Sequence, residues 1–186
     1  MIKFNAKQLI EERLAKKHDP NDLWTGSLHE GWNSLSTPQA KGDIGTEIYQ
    51  QYLQKLGFEI EIVSDEGDIR YRKDATSPWI KDEVKVSKAT LKVTHNGTKL
   101  SEKLWFNQVR PGQAGWDGIV LVGIYPEYIR IWRKDRQTWD ETYRSLHSVQ
   151  KGLKHTGQAG DEQLEQVTLV KNSRTNNFGE WEELSE

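Results

Sequence analysis

Residues 79–87 read WIKDEVKVS, with Glu83 and Lys85 two positions apart in a stretch that otherwise alternates like a strand. Side chains two apart on a strand share a face. A carboxylate and an ammonium therefore stand together, while Val84 and Val86 point the other way. A solvated sheet edge accounts for the triplet taken alone. Two earlier carboxylates suggest chemistry instead: Asp68, fifteen positions before Glu83, and Glu47 before that. Carboxylates held close repel, and a divalent cation relieves the repulsion. Hard oxygen donors favour Mg²⁺, with Mn²⁺ as a substitute. The main-chain carbonyl of Val84 would add a further oxygen. Lys85 can then meet an incoming phosphate and orient or help deprotonate the attacking water. Such a set equips a chain for metal-assisted phosphodiester hydrolysis.

These residues need elements to hold them. Residues 41–58, KGDIGTEIYQQYLQKLGF, place Ile44, Ile48, Tyr52 and Leu56 at four-residue steps, with Tyr49 and Leu53 widening the stripe. That spacing predicts a helix carrying Glu47, opened by Gly42 or Asp43 and closed by Gly57. FEIEIVS follows as a strand with Phe58, Ile60 and Ile62 on one face. DEGD at 65–68 is a tight turn, and DIRYRKD returns from it as a second strand opened by Asp68. WIKDEVKVSKATLKV, 79–93, reads as one long third strand, so a hairpin brings Asp68 to Glu83 at the sheet's end. Asn96-Gly97 signals a further hairpin. The apolar run from Ile119 to Ile124 suits a strand covered on both faces. YIRIWRK after Pro126 is its neighbour. Residues 4–17 and 138–153 read as helices, 164–172 as a late strand, and the C-terminus as a polar, acidic tail. The order predicts a mixed α/β fold, its sheet mostly antiparallel and flanked by helices. We expect one domain, with a core at about 41–133, an N-terminal segment 1–40 and a C-terminal helix and strand in 134–186.

Asp68 followed by Glu83-Val84-Lys85 resembles the PD-(D/E)xK nuclease pattern of many restriction endonucleases and repair nucleases. Glu47 resembles the helix-borne acid that often precedes that motif. Gly67 stands where the pattern has proline. The resemblance spans roughly 41–133 and implies a restriction-endonuclease-like α-β-β-β-α-β core. It implies Asp68 and Glu83 as metal ligands, Glu47 as an auxiliary ligand or base, and Lys85 as the group that orients or activates water. It also implies double-stranded DNA as substrate, cut to 5′-phosphate and 3′-hydroxyl ends. Gln108 is a candidate for the glutamine that some of these nucleases place near the lysine. In size and layout the chain is similar to the small catalytic subunit of heterodimeric type IIS restriction endonucleases, which implies a larger DNA-recognising subunit as partner. The alternatives are a self-sufficient homodimeric restriction or repair nuclease, and a nuclease-fold DNA-binding protein without catalysis.

Bulk properties bear on that choice. The chain carries 26 Lys and Arg against 28 Asp and Glu, a net charge of −2. Unaided duplex binding usually comes with a basic excess, because phosphate contacts supply most non-specific affinity. Its absence fits a catalytic chain that leans on another protein for targeting. There is no cysteine, which excludes disulfides, thiolate zinc sites and cysteine nucleophiles. His18, His29, His95, His147 and His155 show no metal spacing. The N-terminus lacks a signal-peptide core, and no run approaches the ~18 apolar residues of a membrane helix. We expect a cytoplasmic protein. Asp65 is an alternative to Asp68. Asp82 competes with Glu83 but lies on the other face from Lys85, so it reads as flank. Trp24 and Trp32, in a polar loop, are candidates for a partner surface, and Lys134 and Arg136 for phosphate contacts.

Overall fold

A computed structural model describes residues 23–63, 68–93, 100–109, 115–145, 151–154, 164–172 and 181–184. The helix expected at 4–17 and the alternative ligand Asp65 lie outside these residues. Helix α1, Pro38–Lys55, starts earlier than its apolar stripe predicts. Pro38 sits at the first helical position, and Thr37 Oγ1 accepts from the Ala40 N–H at 3.1 Å. A hydroxyl cap followed by proline is a strong start signal, and it outweighs the glycine at 42. Gly57, with φ of 80°, ends the helix as expected.

The main sheet is mixed and mostly antiparallel. Its six strands are β1 (Glu59–Ile62), β2 (Ile69–Arg72), β3 (Ile80–Lys88), β6 (Gly118–Ile124), β7 (Ile129–Asp135) and β10 (Glu182–Glu183), in that spatial order. Among the described strands of this sheet only the β3–β6 pairing is parallel. Strand β6 is buried at every position, as its apolar run predicts. Helix α1 packs on one face of the sheet, against β1, β2, β3 and β6.

A second sheet holds β4 (Thr90–Val93), β5 (Leu100–Val109), β9 (Leu164–Asn172) and β8 (Lys151–Lys154), in the order β4-β5-β9-β8. It accounts for two differences from expectation. The long third strand is two strands, because the chain leaves the main sheet at Ala89, a fully buried pivot whose N–H donates to Ile124 O at 2.8 Å. The helix expected between Lys85 and the apolar strand is absent among the described residues. The hairpin β4–β5 makes that crossover instead, and residue pairs such as Leu91↔Glu102 fix its register. A parallel pair needs a long crossover, usually helical. Here β5 does the covering: Leu104 lies against Gly123, and Phe106 meets Trp132 edge-on at 6.5 Å on the face away from α1.

Helix α2, Arg136–Ser145, is shorter than the predicted 138–153, whose end is strand β8. The acidic tail contributes β10, which pairs with β7 through Glu182↔Arg133, and Glu183 accepts from Trp132 Nε1 at 3.1 Å. Trp24 and Trp32 are not a partner surface. They are buried in the core, with Lys88 Nζ 4.2 Å from the Trp24 ring. Lys134 is buried too, over Trp181 and bonded to Thr142, so it is not placed to meet a phosphate.

Candidate active site

Strand alternation sorts β3 into two faces. Asp82 and Val84 are buried, and Val86 lies beneath Gly45 of α1. Glu83 and Lys85 point to the other face, with side chains about a quarter exposed, at 27% and 25%. They form an ion pair through Lys85 Nζ and Glu83 Oε1. The pairing of charges within one strand is therefore as the sequence implies.

Asp68 comes to this pair from β2. The β2–β3 register ends at Ile69↔Asp82, and the next step brings Asp68 opposite Glu83. Directly opposed residues have Cβ atoms about 4.5–5.5 Å apart. The main chain of β3 grips Asp68 twice. Its N–H donates to the Asp82 carbonyl at 3.0 Å, and its Oδ2 accepts from the Val84 N–H at 2.7 Å. The carboxylate thus takes over a ladder position where the chain turns away. In a strand, one residue's N–H and C=O face the same neighbour. The Val84 carbonyl accordingly faces the edge where Asp68 sits.

The electrostatics agree with this placement. Burial raises the Asp68 carboxyl above its ordinary value, and the Glu83 charge raises it further. The Val84 hydrogen bond and Lys85 pull it back, and Asp43 adds a smaller push upward. Two acids that crowd each other at the end of β2, beside one ammonium, form a site that a second cation would relieve.

Glu47 is exposed on α1, and no described contact brings it to the group. The helix carboxylate that acts on Asp68 is Asp43, one turn earlier and likewise exposed. Residues four apart share a helix face, so periodicity alone could not rank them. Gln108 lies on β5, outside the described side chains.

Asp82, read from the sequence as flank, is a buried hub on the inward face. It is fully enclosed. Its Oδ2 accepts from Tyr49 Oη at 2.8 Å, Tyr71 Oη at 3.0 Å and Arg133 Nε at 2.9 Å, and its Oδ1 accepts from Arg133 Nη2 at 2.9 Å. Burial, then Asp82, pushes the Tyr71 hydroxyl up to about 12 and Tyr49 well above its usual range. Burial alone would lower Arg133, but its bonds to Asp82 and the Asp82 charge hold it above its ordinary value. The signal was in the alternation: a carboxylate in step with Val84 and Val86 must find partners inside.

Among the described residues no three His, Cys, Asp or Glu side chains converge as a ready cage. Mg²⁺ does not need one. It keeps several waters and binds through one or two carboxylates plus substrate phosphate. Asp68, Glu83 and the Val84 carbonyl fit that donor set in chemistry.

The sequence matches no protein-family model and no curated protein. Among solved structures the chain is similar to a bacterial homing endonuclease, I-Ssp6803I, with a TM-score of 0.40 and 13% identity over 78% of this chain and 89% of that one. A likeness at that level assigns no residue and no activity.

Proposed function

We propose that the protein is a Mg²⁺-dependent DNA endonuclease. The observation that carries this reading is the fastening of Asp68 beside Glu83 by the β3 main chain, with Lys85 on Glu83. Asp68 and Glu83, with the Val84 carbonyl, would hold the ion, and Asp43 of α1 is the helix carboxylate that acts on Asp68. Bound there, Mg²⁺ supplies Lewis-acid polarisation of the phosphoryl group and charge neutralisation of the leaving oxygen. The chain's own residues do the rest. Lys85 presents an ammonium where the phosphate enters, and it orients the water that attacks phosphorus. The rigid Asp68–Val84 contact keeps the carboxylate from swinging away between turnovers.

The finer reading is a type IIS small subunit that cuts one strand and relies on a larger subunit for site recognition. The net charge of −2 favours this over a self-sufficient homodimer. The test incubates supercoiled plasmid with the purified chain and Mg²⁺, alone and with a candidate large subunit. Metal-dependent cutting lost in Asp68→Ala and Glu83→Ala, with folding retained, is the expected result. No cutting under either condition sinks the endonuclease reading. Site-specific double-strand cutting by the chain alone sinks the dependence on a partner.

A further inference from the structure

The face of β1, β2 and β3 that carries Glu83 and Lys85 is the one turned away from α1. Ile69 and Tyr71 of β2 are buried on the α1 side, so Asp68, Arg70 and Arg72 project to the other. The elements in substantial contact with β2 are β1, β3 and α1. No described element packs over the outer side of β2. On that side lies Trp79, half-buried and outside the hydrophobic core. Two guanidiniums stand over its ring: Arg70 at 4.9 Å and Arg72 at 4.5 Å from the centroid. Glu61 and Glu59 of β1 hold the same arginines from the other side, at exposed ion pairs.

This is an expensive arrangement for solubility alone. A tryptophan left out of the core carries two arginines, spaced by two residues, roughly 6.5–7 Å along the strand. A racked guanidinium loses little freedom when it binds, and its planar fork suits phosphate oxygens. Exposed carboxylate partners hold it weakly and can be exchanged for a phosphate. The row Arg72, Arg70, Asp68 then runs along one strand into the carboxylate pair. We propose that Arg70 and Arg72, racked on Trp79, grip the phosphodiester backbone of a DNA duplex whose strand continues into the Asp68–Glu83 site. The proposal rests on the endonuclease reading of that site, and it adds the surface that delivers substrate to it.

The test measures binding apart from cleavage. A fluorescein-labelled duplex of mixed sequence is titrated with the full chain in EDTA, by anisotropy, over a series of salt concentrations starting low. Each phosphate contact contributes about 0.9 to the slope of log K against log salt. Arg70→Ala with Arg72→Ala should flatten the slope by about 1.8. Arg70→Lys with Arg72→Lys keeps both charges and should keep the slope, while Trp79→Ala should weaken binding more than Trp79→Phe. Circular dichroism checks the fold of each variant. An unchanged slope in the double alanine variant overturns the proposal, and so does an absence of duplex binding by the wild-type chain at low salt. Plasmid cutting in Mg²⁺ is scored separately. Cutting with an unchanged slope defeats the surface and leaves the endonuclease. A flattened slope without cutting defeats the endonuclease and leaves a DNA-binding face.

Discussion

Asp82→Ala should be among the most damaging single changes in this chain. The side chain is fully buried and accepts four hydrogen bonds from three residues. Its principal partner, Arg133, keeps only 19% of its side chain exposed. Removing the carboxylate leaves a guanidinium enclosed without a counter-charge and two tyrosine hydroxyls without an acceptor. Breaking a buried pair from one side costs about 3–5 kcal/mol. That is a large share of the roughly 5–15 kcal/mol that holds a typical domain together. With a urea m-value of about 2 kcal/mol/M, the midpoint should fall by about 1.5–2.5 M. Asp82→Asn keeps an acceptor but loses the charge, so it should fall between wild type and alanine. The decisive comparison is Asp82→Ala/Arg133→Ala. Once the carboxylate is gone, the guanidinium is a burden, and its removal should cost far less than it does in the wild-type background. Equilibrium urea unfolding of the four proteins at pH 7 gives the coupling energy. A loss below about 1 kcal/mol for Asp82→Ala, or strict additivity in the cycle, would refute the view of Asp82 as hub.

Three other outcomes are expected. Gly45→Ala should destabilise, although alanine gains about 1 kcal/mol over glycine in a helix interior, because the new Cβ would lie 2.8 Å from Val86 Cβ. Thermal melts that show a gain, or no rescue by Val86→Ala, count against the close approach. For Asp68 the folded carboxyl sits above the ordinary value, so its contribution favours folding at low pH and is lost as pH rises through the raised folded value. Asp68→Asn in EDTA should therefore melt higher than wild type at pH 7 and converge with it below about pH 4, and a lower melting point at pH 7 contradicts the crowding of Asp68 and Glu83. Asp43→Asn should slow plasmid cutting more than Glu47→Gln does, since only Asp43 acts on Asp68 among the two helix acids. The reverse order in initial rates restores Glu47 to the role the sequence suggests.

Some of this was legible in the sequence and some was not. Period-two alternation located β2 and β3, and the turn between them implied the meeting of Asp68 with Glu83. The solid apolar run located β6, and Gly57 located the end of α1. Alternation could not reveal that the third strand breaks at Ala89, since a strand that changes sheets keeps its period. The segment Leu100–Val109 fits either a strand or a helix by composition, and only its pairing with β4 and β9 decides. Tryptophans in a polar loop look exposed because neighbours in sequence are polar. Trp24 and Trp32 instead find partners distant in the chain, as His29 Nδ1 does with the Tyr125 carbonyl at 2.6 Å. The two-residue strand β10 was illegible for a related reason: its pairing is with β7, about fifty residues away, through Glu183↔Trp132.

The two faces of β3 are coupled through a single residue. The Asp82 side chain is clamped from the α1 side by Tyr49, Tyr71 and Arg133, while its carbonyl holds the Asp68 N–H at the end of β2. Gly118 permits the clamp, because a Cβ there would fall 2.5 Å from Asp82 Oδ1 and 2.3 Å from Arg133 Nη2. The buried network therefore immobilises the stretch of main chain that positions both carboxylates. A site made of like charges tends to spread, and crowding Asp68 against Glu83 costs free energy that the Lys85 ammonium and the Val84 hydrogen bond offset. Such a site persists only where the scaffold beneath it is stiffer than the repulsion is strong. Here the stiffness comes from a neutralised ion pair one residue away, on the opposite face, whose charges are fully engaged with each other. That division explains why WIKDEVKVS packs acids and bases so densely: Asp82 serves the interior, and Glu83 and Lys85 serve the outer face.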